Sequence, residues 1–156
     1  MTQQQKKDTE YMHRALKLAH AAAEMGEVPV ASVIVEGDTI LAEGANRSVT
    51  DHDPTGHGEI IALRKAGKKI ANYRLPGTTL YVTLEPCIMC MGAIIHARIQ
   101  RLVFGAYDPK TGAAVSCYNI GSDNILNHQL DITGGICETE CAVLLKDFFR
   151  NRRKKS

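Results

Sequence analysis

The stretch TTLYVTLEPCIMC, residues 78–90, is the most informative part of the sequence, because a strand pattern passes directly into a helix that carries two cysteines. Residues 78–84 are rich in β-branched and aromatic side chains, which predicts a strand. Pro86 is favoured at the first position of a helix, so the pattern predicts a helix over residues 86–95. Cys87 and Cys90 then lie on one face of its opening turn, where the helix dipole favours thiolates. Two thiolates at this spacing are half of a zinc site.

On either side of this stretch, the pattern predicts strands that first pair locally and then alternate with helices. We expect a first helix over residues 8–25, with Asp8 or Thr9 as its cap and Gly26 at its end. The remaining predicted elements are a hairpin of strands over 28–35 and 40–45, a helix over 57–69, strands over 101–104 and 130–133, and a helix over 138–150. This order predicts an α/β domain over residues 1–156, with one mixed sheet covered by helices on its faces.

Composition favours an ordinary globular protein. The chain has 156 residues, of which 44% are hydrophobic and 23% are charged, and this length suits one domain. No signal peptide and no apolar stretch long enough to span a membrane are predicted. The five cysteines are an odd number, which favours a reducing compartment, the cytoplasm, over disulfide bonding. A basic tail, residues 150–156, suits either phosphate contacts or a solvated end.

A second motif, His57-Gly58-Glu59, lies where a loop meets a helix. At a helix start both side chains can lean over the end of the axis, so His57 can bind a metal while Glu59 stops beside the open coordination position. Three protein ligands (His57, Cys87 and Cys90) plus one water form the pattern of a catalytic zinc. His-x-Glu followed by Pro-Cys-x-x-Cys is the signature of zinc-dependent nucleobase deaminases.

Each piece also has a plainer interpretation. The Cys-x-x-Cys pair alone suits a redox pair or two buried apolar residues, and the histidine alone suits a helix cap. A fourth ligand from the remaining cysteines would make the zinc structural, and the protein would then be a zinc-stabilised RNA-binding protein without catalysis. We expect those cysteines to pack in the core instead. They are Cys117, Cys137 and Cys141.

Beyond the two motifs, the chain resembles the bacterial tRNA adenosine deaminases over nearly its whole length. The segments that carry the resemblance are GEVPV (26–30), NR (46–47), HDPT (52–55), NYRL (72–75), TLYVTLEPC (79–87), FGA (104–106), KTGAA (110–114), NH (127–128) and DFFR (147–150). The resemblance implies a cytidine-deaminase-like three-layer α/β/α sandwich with a five-stranded mixed sheet, one Zn²⁺ per subunit and a homodimer.

The resemblance also implies a hydrolase that converts the wobble adenosine of a tRNA anticodon to inosine, with the anticodon stem-loop as partner. Zinc would activate the water that attacks C6 of adenine, and Glu59 would move the protons. The matching positions place Asn46 at the target base and Asp108 near a flanking ribose. The further substrate-binding candidates are Gly58, in the zinc-binding turn, and Phe149, Arg150, Arg152 and Arg153, toward the anticodon loop.

Two points qualify this resemblance. The family usually has alanine where this chain has Gly56 and Gly58, so we expect a less rigid zinc-binding turn with its chemistry intact. The alternative function is a deaminase of a free nucleobase or nucleoside (guanine, cytosine or cytidine), which shares the metal site and most of the fold. The aromatic and basic end of the chain favours RNA over that alternative.

Overall fold

The computed structural model of the chain describes residues 1–155, over which it forms four helices and five strands. The helices are α1 (Gln3–Glu24), α2 (Gly58–Ile70), α3 (Ile88–His96) and α4 (Glu138–Lys155). The strands are β1 (Ala31–Glu36), β2 (Thr39–Ala45), β3 (Thr78–Leu84), β4 (Arg101–Ala106) and β5 (Asp131–Thr133).

The five strands form one mixed sheet in the order β2-β1-β3-β4-β5. The pairs β1–β2 and β1–β3 are antiparallel, whereas β3–β4 and β4–β5 are parallel. The predicted α/β class, mixed sheet and five strands are therefore confirmed.

Helices cover both faces of the sheet because its central strands are apolar on both faces. Leu80 and Val82 of β3 face one cluster with α2 and α3, whereas Tyr81 faces another with α1. Successive side chains of a strand point to opposite faces, which produces this division. The three-layer α/β/α sandwich follows from two separate cores, one on each side of the sheet.

The first helix begins five residues earlier than predicted. Thr2 is its N-cap, and the side chains of Thr2 and Gln5 form a reciprocal capping box. Asp8 does not cap the helix: its buried carboxylate accepts hydrogen bonds from both terminal nitrogens of Arg101, at 2.8 and 2.7 Å, and from the Tyr81 hydroxyl at 2.8 Å. The predicted cap was wrong because a tertiary ion pair uses this carboxylate.

Two other helix boundaries differ from prediction by two residues or more. The third helix begins at Ile88 with Cys87 as its N-cap, so Pro86 precedes the helix. The fourth helix continues through Lys155, and the predicted tail is helical from residue 150 to 155. An ion pair between Arg150 and Asp147 and the Arg152 guanidinium over the Phe148 ring support the added turns. Ser156 of that tail lies outside the described residues.

Candidate active site

Two helix N-termini bring the predicted metal ligands together. His57 is the N-cap of α2 and Cys87 is the N-cap of α3, while Cys90 lies in the first turn of α3. His57 Nδ1 lies 3.6 Å from Cys87 Sγ and 3.5 Å from Cys90 Sγ. Strands β2 and β3 are both antiparallel to β1 and so run in the same direction, which places the segments that lead from them into α2 and α3 at the same edge of the sheet.

These distances fit a shared zinc ion. Nitrogen and sulfur ligands at about 2.1 and 2.3 Å from a tetrahedral zinc lie about 3.6 Å from each other. One imidazole and two thiols are also a donor set that zinc prefers. The residues present therefore fit a zinc ion held by His57, Cys87 and Cys90.

The pKa values of the cysteines in this cluster also favour the binding of a cation. Hydrogen bonding with Cys90 and with His57 together lowers the pKa of Cys87 to about 4, against the opposing effect of burial. The hydrogen bond with Cys87 and burial raise the pKa of Cys90. The hydrogen bond with Cys87 raises the pKa of His57. The cluster thus carries a thiolate that a cation would neutralise.

The other three cysteines lie away from this cluster. Cys141 is buried against β4, as expected, whereas Cys137 is half-buried near His13 and Glu140. Cys117 is exposed and donates its thiol hydrogen to the carbonyl of Pro109 at 3.3 Å. The core expectation is therefore wrong for Cys117, because its polar loop leaves it at the surface. Within residues 1–155, none of these three cysteines joins the group of His57, Cys87 and Cys90, and Cys137 instead lies in a second group of potential ligands with His13 and Glu140.

Glu59 is buried without a full set of partners. It lies in the first turn of α2 and its side chain is 3% exposed. Among the described residues, Oε1 has no hydrogen-bond partner. Burial raises the pKa of the Glu59 carboxyl above its usual value, which favours the protonated form of this group and suits it to proton transfer.

A cavity of about 240 Å³ lies over the cluster. Its lining residues are Glu27, Val28, Val30, Asn46, Ser48, Val49, His57, Glu59, Leu84, Glu85, Cys87, Asp108 and Thr111. The predicted residues Asn46 and Asp108 thus border the same space as the predicted ligands and Glu59. A cavity of this size suits a single planar base rather than an extended ligand.

Asn46 and Gly58 form the start of α2. Asn46 Oδ1 accepts a hydrogen bond from the Gly58 N–H at 2.8 Å and so caps the helix, since His57 makes no side-chain cap. A Cβ on Gly58 would come within 2.9 Å of the Gly44 carbonyl oxygen, so the helix start lies very close to β2. Glycine at this position allows that close approach.

A second cavity, of about 770 Å³, adjoins the first. The two share Val28, Leu84, Asp108 and Thr111 in their linings. Phe149, Arg150 and Arg153 of α4 border the second cavity, and Phe149 is 40% exposed. Arg152, in contrast, lines a separate groove between α1 and α4, with its guanidinium 5.8 Å from the centre of the Phe148 ring. The structure therefore brings three of the four predicted α4 residues to the site.

Two residues of the site were not predicted from the sequence. Glu27 and Glu85 are each 2% exposed and border the catalytic cavity. Burial raises the pKa of each carboxyl, but hydrogen bonds from neighbouring loops outweigh burial and lower it. The sequence does contain a signal, since each is an acidic residue beside an apolar strand segment, at Glu27-Val28 and Leu84-Glu85. An acid in such a place must find buried hydrogen-bond donors.

Comparisons with known proteins agree with this geometry. Residues 6–153 match the family described as MafB19-like deaminase. The chain is 51% identical over 149 residues to the tRNA-specific adenosine deaminase of Haemophilus influenzae, over 95% of this chain and 86% of that protein.

Two solved structures share the fold. One comes from biochemical and structural studies of A-to-I editing by tRNA:A34 deaminases at the wobble position of transfer RNA. It has a TM-score of 0.85 and 43% identity, over 88% of this chain and 99% of that one. The other, a guanine deaminase from Nitrosomonas europaea, has a TM-score of 0.77 and 26% identity, over 88% of this chain and 81% of that one.

Proposed function

The chain belongs to the tRNA-specific adenosine deaminase family, and on that premise we propose that it hydrolyses the wobble adenosine of a tRNA anticodon to inosine. One observation supports hydrolytic deamination most directly. His57, Cys87 and Cys90 lie close together beside Oε1 of Glu59, which is buried without a hydrogen-bond partner among the described residues, at a cavity that suits one nucleobase. The identity of 51% to the tRNA-specific adenosine deaminase of Haemophilus influenzae supports tRNA as the substrate.

His57, Cys87 and Cys90 hold one Zn²⁺ per chain in this proposal. The ion is a Lewis acid that makes water a stronger nucleophile at neutral pH. Three protein ligands leave a coordination position open, which a catalytic zinc requires. The start of α2 orients His57, because Asn46 caps that helix and leaves the imidazole unused by the backbone.

Glu59 moves the protons. It accepts a proton from the attacking water while the C6–O bond forms, and it passes that proton to N1 of adenine. It then transfers the second water proton to the amine while the C6–N bond breaks, and the amine leaves as ammonia. The net reaction consumes one water and releases one ammonia. The raised pKa of Glu59 suits a group that must carry protons in both directions.

Residues around the cavity bind the substrate. The adenine must leave its stack to reach a buried site, which a single-stranded anticodon loop allows at low cost. Asn46 and the Gly58 turn lie beside the inserted base, and Asp108 lies toward the flanking nucleotide. Phe149, Arg150 and Arg153 border the adjoining cavity, where a ring and cations suit RNA. We do not extend this role to Arg152, which lines another groove.

The surroundings of the enzyme are part of the proposal. A tRNA substrate supports a cytoplasmic location. The family match over residues 6–153 supports a single deaminase domain. Within residues 1–155, every helix is too short or too polar to cross a bilayer. We also propose a homodimer, which the open apolar groove between α2 and α3 supports.

The test is inosine formation on tRNA. Purified protein is incubated with total bacterial tRNA, and the digested RNA is analysed by mass spectrometry. We expect inosine at position 34 with the wild-type chain and none with Glu59→Ala, which should still bind zinc. In parallel, guanine, cytosine and cytidine are offered as free substrates. Deamination of one of these without inosine in tRNA would replace this function by the free-nucleobase alternative.

A further inference from the structure

Two irregular loops wall the catalytic cavity. Residues 46–56 contribute Asn46, Ser48 and Val49 to its lining, and residues 107–117 contribute Asp108 and Thr111. Both segments lie outside the helices and strands. Loops without regular hydrogen bonding depend on side chains to hold their backbone in one conformation.

Each loop is tied to one buried carboxylate. Glu27 accepts the Val49 N–H at 3.1 Å, the Thr50 N–H at 2.6 Å and the Thr50 hydroxyl at 2.5 Å. Both of its oxygens are used, so the first loop is bound at two successive backbone groups. These contacts, at Val49 and Thr50, lie one and two residues along the chain from Ser48 and three and four residues from Asn46.

Glu85 holds the second loop at both of its ends. Oε1 accepts the Asp108 N–H at 3.0 Å and the Ser116 hydroxyl, while Oε2 accepts the N–H groups of Val115 and Ser116, each at 2.8 Å. The side chain passes so close to Gly112 that a Cβ there would overlap its carboxylate. One carboxylate therefore connects Asp108, near one end of the loop, to Val115 and Ser116, near the other.

We propose that Glu27 and Glu85 are positioning residues for deamination, each holding one wall of the catalytic cavity at the distance that the substrate requires. This inference rests on the proposed function. Both residues lie next to central strands of the sheet. Glu27 lies shortly before β1 and Glu85 lies directly after β3, and these two strands pair with each other. The rigid sheet is thus connected to both substrate-contacting loops through two carboxylates.

Only a carboxylate satisfies these donors. An ionised Glu offers acceptors on both oxygens, whereas Gln has the same shape but replaces one oxygen by a donor. In Glu85→Gln, the amide nitrogen replaces either Oε2 or Oε1. It would then face two N–H groups in the first case, and one N–H group and one hydroxyl in the second. At Glu27, it would face at least one N–H group. The loop must then move away, because buried donors without acceptors are strongly unfavourable.

The experiment compares steady-state kinetics of Glu27→Gln and Glu85→Gln on tRNA with zinc content measured for each protein. We expect KM for tRNA to rise about tenfold while kcat changes less, because substrate contacts are lost more than proton transfer. Zinc should remain at one per chain. The matched control is Asp8→Asn, which removes an equally buried carboxylate whose partners, Arg101 and Tyr81, lie outside the cavity lining.

The control separates positioning from general loss of stability. A wild-type KM in both Gln variants, or the same rise in KM for Asp8→Asn, would overturn the inference. Loss of zinc from Glu85→Gln would also overturn it, since Glu85 would then support Cys87 rather than the loop. Failure of the wild-type chain to form inosine would instead reject the proposed function, so the two failures are distinguishable.

A milder variant guards against misfolding. Ser116→Ala keeps the Glu85 carboxylate and removes one of its four donors. We expect a KM increase of about threefold with unchanged zinc content, because one of the hydrogen bonds that hold the loop is lost. A KM equal to that of the wild-type chain would contradict the role of Glu85.

Discussion

Four buried carboxylates of the described chain have different partners, and those partners decide what each can do. Asp8 pairs with a guanidinium, while Glu27 and Glu85 accept hydrogen bonds from loops, so these three remain ionised. Oε1 of Glu59 has no such partner, and burial raises its pKa. Proton transfer is therefore assigned to the carboxylate whose charge is least stabilised by the protein.

At the same scale, Asp8→Asn should destabilise the fold without altering the site. It breaks a largely buried ion pair with Arg101, which we expect to reduce the free energy of unfolding by about 3 kcal/mol near neutral pH. Burial raises the pKa of Asp8, but hydrogen bonds from Arg101 and Tyr81 lower it below its usual value. Urea denaturation of both proteins measures the difference.

The pH dependence of that difference has a definite sign. A lowered pKa in the folded state contributes stability above the pKa of an unfolded aspartate, about 3.9, and loses it as pH falls through the folded pKa. The gap between wild-type and Asp8→Asn should thus be constant from pH 5 to 8, by this argument about Asp8 alone, and shrink below about pH 4. A gap that grows on acidification would contradict the ionised pair.

The site residues differ in how far local sequence predicts them. His57, Glu59, Cys87 and Cys90 were predicted as a group because His-x-Glu followed by Pro-Cys-x-x-Cys is a deaminase signature, whereas helical spacing alone predicted only that Cys87 and Cys90 lie close together. The partners of Glu27 lie 22 and 23 residues further along the chain. No local pattern predicts such contacts, since they depend on how loops fold back over the sheet.

At the scale of secondary structure, α4 presents different basic residues to different surfaces. Arg153 borders the cavity next to the active site, whereas Arg152, its neighbour, lines the groove toward α1. Arg153→Ala should therefore raise KM for tRNA about threefold and reduce the slope of log affinity against log salt by about one. Filter binding over a series of salt concentrations measures both quantities for the stem-loop.

Arg152→Ala is the matched control for this prediction, because it removes the same charge one residue away. Its affinity and salt slope should stay close to those of the wild-type chain. Equal losses in the two variants would indicate that α4 attracts RNA by its overall charge and not through one face. The length of α4 itself was underestimated because a charged end gives no apolar periodicity to follow.

At the scale of the whole molecule, the mixed sheet follows from how its strands are connected. A short hairpin makes β1 and β2 antiparallel, whereas crossover through α3 makes β3 and β4 parallel. The sequence order of strands and helices predicted one mixed sheet with a hairpin, but it did not predict the strand order β2-β1-β3-β4-β5. Strand β5 has only three residues at the sheet edge, so its boundary depends on pairing with β4 more than on its own composition.

One side of the molecule carries an open groove of about 780 Å³ between α2 and α3. Leu63, Ala71 and Ala93 contribute apolar surface there, and Tyr73 at its border is 72% exposed. Basic side chains of Arg64, Lys68 and His96 also line the groove. Apolar surface in an open groove is typical of a protein–protein interface. In the proposed homodimer, a second copy of this chain binds this groove. A two-fold axis would bring the same groove of the two copies together.

Light scattering after size-exclusion chromatography should therefore give twice the 17.1 kDa mass of one chain. Leu63→Glu places a charge in the groove and should yield monomers, because an unpaired charge is costly in a buried interface. Val143→Glu, on the exposed part of α4, is the matched control and should remain dimeric. A wild-type monomer at micromolar concentration would exclude the dimer, and dissociation by both substitutions would remove the groove as its interface.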